Sequence, residues 1–381
     1  MSGNIGLMPF HAMEILGRAK ALEAEGRVIH HLEVGEPAVP PAPKVLEAVA
    51  KALPEPQRYT HAKGTIELRQ GLAAYYREQH GVTVDPETIM VTMGSSSGFI
   101  LAFLGAFAPG ARIAVTRPGY PAYLNTMDGL GLRAVEIPLT AESGWRLTGA
   151  DIARAHAETP FEGLLFASPA NPTGAAVDRA GLEDIVTTCK RLGVTLISDE
   201  IYHGLDYRGP SVSALEFTRD AVVINSFSKY YCMTGWRVGW MVLPERVLRR
   251  TEMLQQNLFI SAPSLSQVAA LAALGERDYS EVQKAGYARN RHVLNTGLAQ
   301  LGFGAMRESE GAFYAYVDVS AFTNDSMAFC KAMLEEAGVA ATPGIDFDRV
   351  NGHRFVRFSY AGSEETMVDA LARIEQFLRR S

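Results

Sequence analysis

The chain has 381 residues, 47% of them apolar and 20% charged, with a net charge of -6. That length allows about two domains with sizeable cores, at ~100–200 residues each, and the acidic balance argues against nucleic acid, which needs a concentrated basic excess. The scattered Cys189, Cys232 and Cys330 predict neither a disulfide framework nor a metal site and fit a reduced, cytoplasmic setting. The N-terminus MSGNIGLMPF has no basic region followed by an apolar run, so no signal peptide is expected. The most apolar early stretch, Phe99–Ala108, is broken by Gly105 and is too short to span a bilayer.

In residues 10–25, Ala12, Ile15, Leu16, Ala19 and Leu22 fall at helical spacing, and Gly26 supplies a stop. His31–Val34 reads as a short strand running into Gly35-Glu36-Pro37. Gly35 is either a plain turn glycine or a point where backbone approaches a ligand closely. Helices are expected over Lys44–Leu53 and Ile66–His80, separated by a polar loop that contains Tyr59. Ile89–Thr92 reads as a strand, followed by a Gly94–Gly98 loop and a helix from Phe99 to Phe107. Ser95, Ser96 and Ser97 at that helix entry suit either N-capping or an anion site. The loop has neither a Walker ending nor a GxGxxG pattern.

Arg112–Thr116 is the next strand, leading into Pro118-Gly119-Tyr120. Tyr120 suits core packing or stacking on a flat ring. The strand Gly163–Ala167 closes on Ser168-Pro169-Ala170-Asn171-Pro172-Thr173-Gly174, whose prolines would hold the Asn171 amide in one place. After a helix over Leu182–Leu192 comes the strand Val194–Ser198, ending in Asp199-Glu200-Ile201-Tyr202. Strand and helix alternate, which predicts an α/β fold: a large domain with a mostly parallel sheet flanked by helices. Beyond Trp240 helices fill Leu243–Leu301, and a smaller α+β domain follows, with strands at Ala312–Val319 and His353–Ser359 and helices at Ser326–Ala337 and Glu364–Leu378. The expected division is 45–285 for the large domain, with 1–44 and 286–381 forming the small one.

Val222–Trp240 carries the sharpest signal. Val222, Val223 and Ile224 form a buried strand, Ser226, Ser228 and Lys229 follow it, and Arg237 comes within Gly-Trp-Arg-Val-Gly. A lysine in so apolar a setting is costly unless its pKa falls, and an amine of low pKa attacks carbonyls. Ligands of α/β sheets sit at the carboxyl ends of strands. Ser95, Tyr120, Asn171, Asp199, Tyr202 and Lys229 all follow predicted strands, so a shared site is expected there.

These residues, in this order, resemble the class I/II aminotransferases, fold-type-I enzymes that use pyridoxal 5'-phosphate. The resemblance runs from Gly35-Glu36-Pro37 through Tyr59…Gly64, Pro118-x-Tyr120, Asn171-Pro172-Thr173-Gly174, Asp199-Glu200-x-Tyr202, Ser226-x-Ser228-Lys229 and Gly235-Trp236-Arg237-x-Gly239 to Arg357-Phe358-Ser359. It implies that the large sheet has seven strands, that Lys229 is the Schiff-base lysine and that Asp199 pairs with the pyridine nitrogen. Asn171 and Tyr202 would bond the ring hydroxyl, and Tyr120 would stack on the ring. Ser95, Ser96, Ser226 and Arg237 would hold the phosphate, with Tyr59 reaching in from a neighbouring subunit of a homodimer. Arg357 would grip the substrate α-carboxylate beside Gly35 and Asn171. The implied reaction moves an amino group between an α-amino acid and a 2-oxo acid. The alternative is a fold-type-I lyase of the carbon–sulfur β-lyase type, which would share nearly every motif. Asp348, where many members have glycine, leaves its loop open, and no arginine is placed at a side-chain carboxylate pocket.

Overall fold

The structure, a computed structural model, describes residues 7–304 and 308–380. Seven strands make the large sheet: β2 (Ile89–Thr92), β3 (Arg112–Arg117), β4 (Arg133–Pro138), β5 (Gly163–Ala167), β6 (Thr195–Asp199), β7 (Val222–Ser226) and β8 (Gly239–Val242). Their order is β2-β8-β7-β6-β5-β3-β4. Only β8 runs against its neighbours, β2 and β7. The other pairs are parallel. Both faces are covered, so residues alternate between two cores. Val223, Leu164, Leu196 and Ala114 pack on one side, while Val222, Ile224, Leu165, Ile197 and Ile113 pack on the other. Every residue of β7 is buried. At ~1.5–3 kcal/mol for each fully buried valine or isoleucine, this strand is a fixed base for the lysine that follows it.

A smaller α+β domain holds a three-stranded sheet of β11 (Thr342–Pro343), β12 (Phe355–Ser359) and β9 (Tyr314–Asp318). The pair β1 (His30–His31) and β10 (Val339–Ala340) ties the N-terminal segment to it. The helices Arg277–Gln300 and Glu364–Leu378 pack together against this region. Among the described residues no helix is long and apolar enough to cross a membrane. Nor does any group of three or more His, Cys, Asp or Glu side chains stand ready for a metal ion.

The expected helix Ile66–His80 and strand Gly163–Ala167 form with those bounds. The helix expected from Phe99 instead starts at Gly94. Serine and glycine are weak helix formers in isolation, but serine is favoured in a first turn, where free amides need acceptors. The strands β4 and β8 were not expected. The first is an edge strand, exposed over its first two residues, and the second is a four-residue strand, Gly239–Val242, too short for a period to show.

Candidate active site

A cavity of about 590 Å³ opens where β2, β3, β5, β6 and β7 end, the expected place for a ligand in such a sheet. Its wall brings together Gly35, Ser95, Ser96, Tyr120, Asn171, Asp199, Tyr202, Lys229, Arg237 and Arg357.

Lys229 follows β7 and donates from Nζ to the Gly35 carbonyl at 2.6 Å. Gly35 must be glycine here, since a Cβ would stand 1.8 Å from the Tyr314 hydroxyl. Burial lowers the Lys229 pKa to about 8, and Arg357 and then Arg237 push the same way against Glu36 and Asp199. Far more of this amine is therefore unprotonated near neutral pH than of a lysine in water.

Asp199, at the end of β6, is buried. Its carboxylate accepts the Tyr123 hydroxyl and, at 3.1 Å, the Ile201 amide. Burial nevertheless raises its pKa to about 6, because no cation is bonded to it among the described residues. A cationic group facing it would restore the charged form.

Arg357, on β12, is 2% exposed. Nη1 donates to Asn171 Oδ1 at 2.8 Å, and Nη2 donates to the Glu33 carbonyl and to Thr342 Oγ1. Its guanidinium lies 4.3 Å from the Tyr314 ring centroid and 4.7 Å from that of Phe347. The Tyr314 hydroxyl shares a 2.7 Å hydrogen bond with Tyr202, so these side chains brace one another. Arg357 pairs with no carboxylate among the described residues, and a buried, oriented cation of that kind suits a bidentate anion.

The other end of the cavity is more open. Ser95 and Ser96 occupy the first turn of the helix Gly94–Ala106, where free amides favour an anion. Ser228, Thr234, Gly235 and Arg237 complete this wall. Arg237 is exposed and left-handed at φ 52°, a conformation that costs a non-glycine residue of order 1–3 kcal/mol. Among the described residues its one hydrogen bond runs from Nη1 to the Thr234 carbonyl at 2.9 Å. Gly94 leaves room for it, since a Cβ there would lie 2.6 Å from Nη2.

Two expected site residues stand elsewhere. Ser226 does not line the cavity: its hydroxyl bonds Ser228 Oγ at 2.9 Å and the Val238 carbonyl at 3.1 Å, and Ser228 faces the cavity in its place. Tyr59 is 83% exposed and is not part of this chain's wall. Asp348 has a local task. It accepts the Val350 and Asn351 amides and lies 3.4 Å from Arg117 Nε.

Tyr123 and Tyr314 were missed. Tyr123 lies three residues after Tyr120, on the same side of the helix Pro121–Gly129, and that spacing was a usable signal. Tyr314 is placed by register: Tyr316 sits opposite Arg357 and Tyr314 opposite Ser359, which makes it a diagonal neighbour of the arginine. No local pattern reveals that.

The residues present fit pyridoxal 5'-phosphate. An amine of lowered pKa, a buried carboxylate without a cation and an exposed cation without an anion share one cavity. The family model for class I and II aminotransferases matches residues 28–374. The chain is 43% identical to a valine–pyruvate aminotransferase of Mycobacterium tuberculosis, covering 98% of this chain and 97% of that one. A crystal structure of an aminotransferase from Mycobacterium tuberculosis superposes with a TM-score of 0.96 at 41% identity, covering 100% of this chain and 99% of that one. The aspartate aminotransferase of Thermus thermophilus, solved with maleate, gives 0.92 at 31% identity over 98% of this chain and 97% of its own. Each of these relatives is an aminotransferase, and none favours the lyase alternative. The chain belongs to the class I and II aminotransferases, a family of pyridoxal-phosphate-dependent enzymes, and its reaction is the transfer of an amino group.

Proposed function

We propose that this protein holds pyridoxal 5'-phosphate on Lys229 and moves amino groups between an α-amino acid with an apolar side chain and a 2-oxo acid, as a cytoplasmic homodimer. The observation that carries the reading is the convergence of Lys229, Asp199 and Arg357 on one cavity, each without an opposite charge bonded to it. The cofactor, when bound, supplies an electron sink for the substrate Cα.

The chain's own residues do the rest. Asp199 would keep the pyridine nitrogen protonated, with Tyr123 holding the carboxylate in place. Asn171 and Tyr202 would bond the ring hydroxyl, and Tyr120 would stack on the ring. The Ser95 and Ser96 turn, Ser228 and Arg237 would hold the phosphate, with Ser226 fixing Ser228. Arg357 and Asn171 would orient the substrate α-carboxylate. Lys229 Nζ would take the Cα proton and later return it, a task suited to a pKa near the working pH. Tyr59, exposed in one chain, reaches the phosphate of the partner's site. The division at 45–285, with 1–44 and 286–381 as the small domain, then puts Arg357 on a separate unit from Lys229.

Specificity follows from the remaining wall. Phe10, Ala12, Met13 and Val34 are apolar, while Glu36 adds a negative charge, which disfavours a second substrate carboxylate. The relative named for valine and pyruvate agrees with that reading. A half-reaction screen tests it: each amino acid is mixed in turn with the holoenzyme while the cofactor's visible band is followed. Apolar amino acids should convert the band faster than aspartate or glutamate. Faster conversion by the dicarboxylates would reject the specificity, and pyruvate and ammonia accumulating without an acceptor would reject the transfer itself.

A further inference from the structure

A second cavity, of about 670 Å³, shares its framework with the first. Tyr202 and Lys229 line the first cavity, and the residues that follow each of them, His203 and Tyr230, line the second. The two strips are packed tightly, since a Cβ on Gly204 would meet the Tyr230 ring at 2.4 Å.

The outer wall is the helix Arg277–Gln300, which presents Arg277, Lys284 and Arg291. Steps of seven residues put these cations in one row along the helix. Arg291 is engaged: Nη1 donates to the Ser309 carbonyl at 2.6 Å, and the guanidinium lies over Tyr207. Among the described residues Lys284 pairs at 3.8 Å with Glu281, a carboxylate that already accepts the Tyr230 hydroxyl at 2.6 Å, and it also attracts Asp206. Arg277 is half-buried and has no hydrogen bond or ion pair among the described residues. Its neighbour Glu276 turns to Lys44, at 2.8 Å. The half-buried acid of the cavity, Asp206, is bonded by the Ser211 hydroxyl. His80 is tied through Nδ1 to Glu216 at 3.0 Å, while its Nε2 is buried without a partner.

The cavity therefore offers Arg277 without an acceptor among the described residues and Lys284 with one long approach to a shared carboxylate, while its carboxylates are already bonded. Guanidinium and ammonium groups so arranged take carboxylate or phosphate oxygens. We propose that this second cavity binds a small anion, a carboxylate or phosphate, through Arg277 and Lys284. Nothing in this rests on the reading of the first cavity.

The test is calorimetric titration of the cofactor-saturated protein with inorganic phosphate and, separately, with malonate. At least one should bind, with affinity falling about tenfold or more in both Arg277→Gln and Lys284→Gln and unchanged in Arg357→Lys. Binding of phosphate alone assigns a phosphoryl ligand, and binding of malonate alone assigns a carboxylate. The proposal is overturned if neither anion binds, if binding survives both substitutions at the second cavity, or if it is lost in Arg357→Lys. Should Arg277→Gln fail to fold, Lys284→Gln decides alone.

Discussion

The two walls of the active-site cavity are built differently. On the inner wall, Asp199, Tyr202, Asn171 and Arg357 are buried, and each is held by another protein group: Tyr123, Tyr314, Arg357 and the Glu33 carbonyl respectively. On the outer wall, Ser96, Gly235 and Arg237 are exposed, and Arg237 has one bond to its own turn. Groups already fixed in place spend no reorganisation when charge develops, and they act on rate. Groups ordered by what they bind act on affinity, because the ligand itself completes the arrangement. The inner wall should therefore set the chemistry, and the outer wall should set retention of the cofactor.

The largest effect is expected from Lys229→Ala, which removes the inner wall's amine. Amino transfer should fall by about 10⁴-fold or more, the scale for losing a covalent catalytic group, and excess cofactor should not restore it. Asp199→Asn keeps the shape and removes the charge, and kcat should fall by roughly 10²–10³, again without rescue. The same variant has a pH signature in the cofactor-free protein. Burial raises the folded pKa of Asp199 to about 6, above its unfolded value near 3.9. The fold then favours the protonated acid, so the contribution of Asp199 to stability is fully present below pH ~4 and is lost as pH rises through about 6, by up to about 3 kcal/mol. Thermal melts across this range should show that decline in the parent protein and less of it in Asp199→Asn.

Arg357→Lys sharpens the comparison from within the inner wall. One ammonium cannot span Asn171, the Glu33 carbonyl and a substrate carboxylate, so kcat/KM should fall roughly 10–100-fold, with kcat falling even at saturating substrate. The smallest effect belongs to the outer wall. Arg237→Gln should weaken cofactor retention about tenfold, yet saturating cofactor should return kcat to near the parent value. An Arg237→Gln enzyme that stayed impaired at saturation would break the division between the walls.

Most of the inner wall was legible in the sequence because its residues follow strands with strong local patterns. Val222–Ile224 announced a buried strand, and Lys229 followed it. Asp199 and Asn171 were marked in the same way by Val194–Ser198 and Gly163–Ala167. What braces them was not legible. Tyr314 meets Arg357 through the pairing of β9 and β12, strands whose partners at the contact lie about forty residues apart. Ser226 and Ser228 are two residues apart, so alternation alone does not say which hydroxyl faces the cavity, and the bond to the Val238 carbonyl decides it. The first turn at Gly94 was read as a loop because its glycine and serines carry no apolar period. Tyr59 is exposed and does not line the cavity of its own chain.

The central claim, that Lys229 carries the cofactor, is tested most directly by borohydride reduction of the purified protein followed by peptide mass mapping. The account predicts a phosphopyridoxyl mass on the peptide containing Lys229. The same mass on another lysine, or on none, would contradict it.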